Sequence, residues 1–109
     1  MARDITSHIE NLTRFTDNVD EGAVGAIVKH LGITLDNKDA SLVSCSQASE
    51  LERVRESWLK RKLGRSEDDA TLDAAIQDVC EKMGRSDPNK CRVGFYYLLA
   101  ENYGVLGDL

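Results

Sequence analysis

Between Val93 and Tyr103 the chain reads Val-Gly-Phe-Tyr-Tyr-Leu-Leu-Ala-Glu-Asn-Tyr, and this run is the tightest constraint on what it can fold into. Wound at 100° per residue, Val93, Phe95, Tyr96, Tyr97, Leu98, Leu99, Ala100 and Tyr103 project around nearly the whole circumference of a helix. A helix that is apolar on every side has to be surrounded by others. The expected architecture is therefore all-α, with this C-terminal helix central. Asp87 followed by Pro88 predicts its start, because proline at the first helical position loses no hydrogen bond. Gly104 predicts its end. Gly94 inside it costs about 1 kcal/mol against alanine, so a neighbouring helix is expected to approach closely there.

Four further helices follow from the spacing of apolar residues. Ile5, Ile9, Leu12 and Phe15 lie on one stripe of a helix over Asp4–Thr16. Ala23, Val24, Ile27, Val28 and Leu31 form the second, with Asp20 as N-cap and Gly32 as a left-handed stop. Leu51, Val54, Trp58 and Leu59 share a face of a third helix that opens at Ser46, with Lys60, Arg61 and Lys62 in its last turn before Gly64. In the fourth, Ser66 and Asp69 suggest a capping box ahead of the stripe Leu72, Ala75, Ile76, Val79, Cys80 and Met83, closed by Gly84. Between Gly32 and Ser46 the pattern weakens to a loop and one short helical turn near Leu42. No segment alternates with period two, so strands are not expected.

At 109 residues, of which 41% are apolar and 30% charged, the chain is expected to be one helical domain, 1–109. Area scaling leaves about 6,000 Å² of an unfolded surface of about 17,500 Å² exposed, which permits a real core. The opening residues carry charges where a signal peptide needs an apolar run, and no stretch is long enough to span a bilayer, so a cytoplasmic protein without a membrane partner is expected. Fourteen Lys and Arg against nineteen Asp and Glu give a net charge of −5, which argues against gripping phosphate as the main task. Charge is uneven, with six basic residues over Arg53–Arg65 and six acidic ones over Glu67–Glu81. The simplest expectation is that these two helices face each other or stay solvated, rather than forming a binding patch.

Phosphate-cradling loops, dinucleotide fingerprints, zinc-protease and nucleophile-elbow motifs are absent from the sequence, so an enzyme is not the favoured reading and no cofactor is expected. Cys45, Cys80 and Cys91 lie 35 and 11 residues apart with no C-x-x-C pair, so reduced thiols and no metal site are expected. Cys80 and Cys91 read as small buried apolar groups. Cys45 is the thiol candidate, because it precedes a helix N-terminus whose unpaired N–H groups favour a thiolate. His8 and His30 fall in or beside apolar stripes and read as packed histidines. Arg55 projects between Leu51 and Leu59 on a face that ought to be buried, where a desolvated arginine needs a carboxylate or several carbonyl partners unless it lies at a protein interface. A buried or half-buried ion pair is favoured over a functional anion site. Trp58, Tyr96, Tyr97 and Tyr103 read as core aromatics.

Five segments carry a resemblance to a known family: Ile27-Val-Lys-His-Leu-Gly32, Ser41-Leu-Val-Ser-Cys-Ser46, Arg53–Gly64, Leu72-Asp-Ala-Ala-Ile76 and Arg92–Glu101. Together they resemble a bacterial family known only as a domain of unknown function. The resemblance implies a small all-helical cytoplasmic protein and brings no activity, cofactor or catalytic residue.

The favoured functional expectation is a non-enzymatic module that binds a protein partner or itself through a helical face. Two alternatives stand beside it. One is a nucleic-acid-associated protein using Arg53, Arg55, Lys60, Arg61, Lys62 and Arg65. The other is a thiol-dependent enzyme or redox sensor at Cys45.

Overall fold

Nine consecutive residues, Arg92 to Ala100, are buried in the C-terminal helix, and the rest of the molecule is arranged around them. The computed structural model describes residues 6–17, 19–32, 42–84 and 90–109. Its helices are α1 (Thr6–Leu12), α2 (Glu21–Leu31), α3 (Ala48–Arg53), α4 (Asp69–Met83) and α5 (Arg92–Asn102). Helix α3 runs without a break into a π-helical stretch, Val54–Lys62, so the two form one long helical element. A short 3₁₀ turn, Leu106–Asp108, ends the chain. Among the described residues no helix is long and apolar enough to cross a membrane.

Helix α5 packs against α1, α2 and α4. Phe95, Leu98 and Leu99 are essentially inaccessible to water, and each such side chain contributes about 1.5–3 kcal/mol over its exposed state. The close approach expected at Gly94 is present. A Cβ there would lie 3.2 Å from Asn11 Oδ1 and 3.6 Å from side-chain atoms of Leu12 and Met83, so α1 and α4 both press on this point. Two side chains tie the α1–α2 connection to α5. Thr16 Oγ1 donates to Glu101 at 2.7 Å, and the Tyr97 hydroxyl accepts the Asp20 backbone N–H at 2.8 Å.

Trp58 is fully buried and enters the core from the π-helical stretch. Its ring stacks on Tyr96 with centroids 4.6 Å apart, and its Nε1–H donates to the Tyr96 carbonyl at 3.1 Å. The widened turn is visible in the backbone, where the Leu63 N–H reaches the Trp58 carbonyl at 2.9 Å instead of a carbonyl four residues back.

Several boundaries differ from the sequence expectation. Helix α1 ends at Leu12, because Thr13 turns its hydroxyl onto the Glu10 carbonyl and competes with the helical ladder. Helix α4 is capped by Asp68, whose carboxylate accepts the Thr71 N–H at 2.8 Å, and not by Ser66. Helix α3 begins at Ala48 rather than Ser46. Asp20 and Gly32 behave as expected, the first accepting the Ala23 N–H at 3.1 Å and the second taking a φ of +54°.

Two larger corrections concern extended chain. The residues near Leu42 form a short strand, β1 (Leu42–Val43), which pairs antiparallel with β2 (Lys90–Cys91) in the register Leu42 to Cys91 and Val43 to Lys90. Two residues per strand are too few for alternation to register, which is why the pattern reads as a turn. Because β2 occupies Lys90–Cys91, α5 starts at Arg92; the cap expected at Asp87-Pro88 lies outside the described residues.

Candidate functional site

The two oppositely charged helices do face each other, and Arg55 bridges them. Its side chain is only 16% exposed, and Nη1 lies 3.1 Å from both carboxylate oxygens of Asp73. Nε donates to Glu56 at 2.8 Å, and Nη2 approaches Asp69 at 3.6 Å. Lys60 completes the cluster, 2.6 Å from Asp69 and 3.0 Å from Glu56. Arg55 and then Lys60 hold the Glu56 carboxyl below its ordinary range, while Lys60 does the same for Asp69. The guanidinium of Arg55 is in turn held more firmly protonated by Glu56 and Asp73. A desolvated arginine needs this many partners, as its position in the apolar stripe requires.

Beside this cluster lies a groove of about 330 Å³ between α3 and α4. Ala48, Leu51 and Glu52 form one wall, Asp73, Ile76 and Gln77 the other, and Arg55 lies at one end. Ile76 is fully buried beneath the groove, and the half-buried Leu51 shares its opening with Ala48 and with the polar side chains of Glu52, Arg55, Asp73 and Gln77, so the lining mixes apolar and charged surface. With Glu52 included, the rim and its network hold four carboxylates (Glu52, Glu56, Asp69, Asp73) against two cations, Arg55 and Lys60.

A covalent bond joins the approach to α3 to the same acidic helix. Cys45, in the turn between β1 and α3, forms a disulfide with Cys80 of α4, their Cα atoms 6.1 Å apart. This overturns the expectation of three reduced thiols and removes the alternative of a free nucleophile at Cys45. Sequence spacing alone cannot show that pairing with β2 delivers Cys45 onto the buried face of α4, where Cys80 is fully covered. On α4, Cys80 lies four residues beyond Ile76 and three beyond Gln77, which puts all three on one face. Cys45 stands three residues before Ala48. The disulfide does not itself line the groove; it tethers the approach to α3 to the helix that carries Ile76 and Gln77.

A second tether reaches α3 from the core. Arg92 is 4% exposed and pairs with Glu50 of α3, while also donating to the Leu42 carbonyl at 3.2 Å and the Tyr96 hydroxyl at 3.3 Å. Neither Arg92 nor Glu50 is singled out by sequence patterning, since the pair spans 42 positions. The remaining free thiol, Cys91, is half-buried with its Sγ 3.3 Å from His8 Nδ1, so His8 is a packed histidine as expected. His30 stands against Trp58 with ring centroids 5.3 Å apart, and burial, then Lys62, lowers its pKa.

The six basic residues proposed as a binding patch are divided by the fold. Arg55 and Lys60 are engaged with α4, and Arg65 pairs with Glu67 while its guanidinium lies 4.3 Å from the Tyr103 ring centre. Arg53, Arg61 and Lys62 are exposed and make no ion pair among the described residues. A second depression of about 470 Å³, lined by Thr71, Ala75, Asp78, Lys82 and Tyr103 among others, is separate from the disulfide and from the Arg55 cluster.

A comparison with curated proteins returned no match. The family described as a protein of unknown function, DUF2853, matches residues 7–106, nearly the whole chain. By that match, and with the all-helical fold just described, the chain belongs to the DUF2853 family of proteins of unknown function.

Proposed function

We propose that this chain is a non-enzymatic interaction module whose α3–α4 groove takes an apolar side chain flanked by Lys or Arg on a protein partner. What supports the reading is the groove itself. Leu51 and Ala48 offer apolar contact beside the polar side chains of a groove of about 330 Å³, large enough for one or two aliphatic side chains. Around it the carboxylates outnumber the cations, and the whole chain carries −5. Such a rim attracts a basic segment and repels an acidic one. Arg55 adds little positive field, because Asp73 and Glu56 already hold it. The reading takes residues 1–109 as one helical domain working in the cytoplasm.

The test is a titration of isotope-labelled protein with two short synthetic peptides, one carrying Lys-Leu-Leu-Lys and the other Glu-Leu-Leu-Glu. The basic peptide should shift the amide signals of Ala48, Leu51, Glu52, Ile76 and Gln77, more strongly at low salt. Glu52→Lys should weaken its binding about tenfold by reversing one rim charge. Equal response to both peptides, shifts confined to other surfaces, or no shift with either would contradict the reading.

A further inference from the structure

We propose that the Cys45–Cys80 disulfide is a redox clasp that holds the groove's α3 wall in place, so that reduction opens the site. This rests on the groove reading for its consequence, but the clasp itself stands on separate observations.

The first is how weakly α3 is held by packing. None of its six residues, Ala48–Arg53, is buried. Leu51 is half-buried, and Glu50 is fixed by Arg92. Apart from these and the π-helical stretch that follows, the segment leading into α3 is anchored by the two-residue ladder of β1 with its buried Val43, by the hydrogen bond from Arg92 to the Leu42 carbonyl and by the disulfide. A segment with few buried contacts opens locally at low cost, so a covalent tether at its start has a large share in its order. Without the bond, the chain from Cys45 to Cys80 regains freedom that the cross-link withholds.

The second is the unequal accessibility of the two sulfur-bearing residues. Cys80 is fully buried, while Cys45 is half-buried in a surface turn. A reductant therefore meets Cys45 first. A dithiol, either a small molecule or a thioredoxin-type protein, attacks as a thiolate at the Cys45 sulfur. A mixed disulfide forms there, the Cys45–Cys80 bond breaks, and Cys80 leaves as a thiolate. The second thiol of the reductant then displaces Cys45 and closes the reductant's own disulfide. Two electrons and two protons pass from the dithiol, leaving thiols at Cys45 and Cys80. The Cys80 thiol remains in the core as a small apolar group, so α4 and α5 keep their packing.

The consequence is local. Ala48, Leu51 and Glu52 lie just beyond the released turn, whereas Asp73, Ile76 and Gln77 stay on a helix packed against α5. One wall of the groove loosens and the other does not.

Hydrogen exchange on the full chain, read by mass spectrometry before and after dithiothreitol, tests this. Amides of residues 45–53 should exchange at least about tenfold faster after reduction, and those of 93–100 should be unchanged. Oxidised dithiothreitol should restore protection. The Cys45→Ser/Cys80→Ser variant should resemble the reduced protein under both conditions, and Cys91→Ser should respond as the parent does. The Lys-Leu-Leu-Lys peptide should bind the oxidised form more tightly. Unchanged exchange after reduction, or a bond that dithiothreitol opens only in denaturant, would overturn the clasp. Failure of the oxidised protein to bind the peptide while exchange still responds would sink the groove reading and leave the clasp standing.

Discussion

Helices α5 and α3 belong to one small molecule and are held in place by different physics. In α5, nine residues in a row are buried, and the helix is fixed by contact on all sides. In α3 none of six is buried. Beyond the packing of Leu51 and the core anchor that Val54 and Trp58 give the continuing π-helical stretch, the segment is held by tethers: a disulfide at its approach, an ion pair from Glu50 to the buried Arg92, and the Arg55 cluster further on. Packing of the first kind responds to temperature and volume. Tethers of the second kind respond to redox state, pH and salt. The candidate groove lies where the second kind holds, which is the part of a fold that can change without unfolding the rest.

The contrast makes graded predictions. Phe95→Ala, which empties a fully buried site in α5, should cost about 3–5 kcal/mol in a denaturant melt and lower the stability of the whole molecule. Glu50→Ala should cost less, about 2–3 kcal/mol, because Arg92 keeps the Leu42 carbonyl and the Tyr96 hydroxyl after its carboxylate is gone. A loss equal to that of Phe95→Ala would mean that α3 is as integral to the core as α5.

The smallest effect is expected in acid. Glu56, Asp69 and Glu67 have carboxyls lowered from 4.5, 3.8 and 4.5 by Arg55, Lys60 and Arg65 respectively. A group depressed in the folded state stabilises fully above its unfolded value and ceases to do so as pH falls through the folded one. Thermal stability should therefore be flat near neutrality and decline below about pH 4 as these carboxylates are protonated. Arg55→Met, which removes the partner of Glu56 and Asp73, should shallow that decline. An acid limb as steep as the parent's would assign the decline to other carboxylates.

How much of this the sequence discloses depends on the range of the interaction. Local rules carry the helical stripes, the Asp20 cap, the stop at Gly32 and the central place of the Phe95 helix. Arg55 is legible too, because a cation inside an apolar stripe needs partners wherever they come from. What is not legible is long-range and particular. The Glu50–Arg92 pair and the Cys45–Cys80 bond join positions 42 and 35 apart, and no periodicity encodes such distances. The β1–β2 ladder is too short to alternate. The π-helical stretch is hidden because Val54, Trp58 and Leu59 are the residues an ordinary helix would also bury. The groove inherits this: Ile76 is visible as core, but its pairing with Leu51 across α3 and α4 depends on the hidden tethers.

Native-state hydrogen exchange of the oxidised chain in rising sub-denaturing concentrations of guanidinium measures both regions at once. Amides of residues 93–100 should exchange only through global unfolding, with a steep denaturant dependence, while those of 48–53 should open through a smaller, nearly denaturant-independent fluctuation. If both sets instead converge on one steep line throughout, α3 unfolds only with α5, and the division between a packed hub and a tethered wall is wrong.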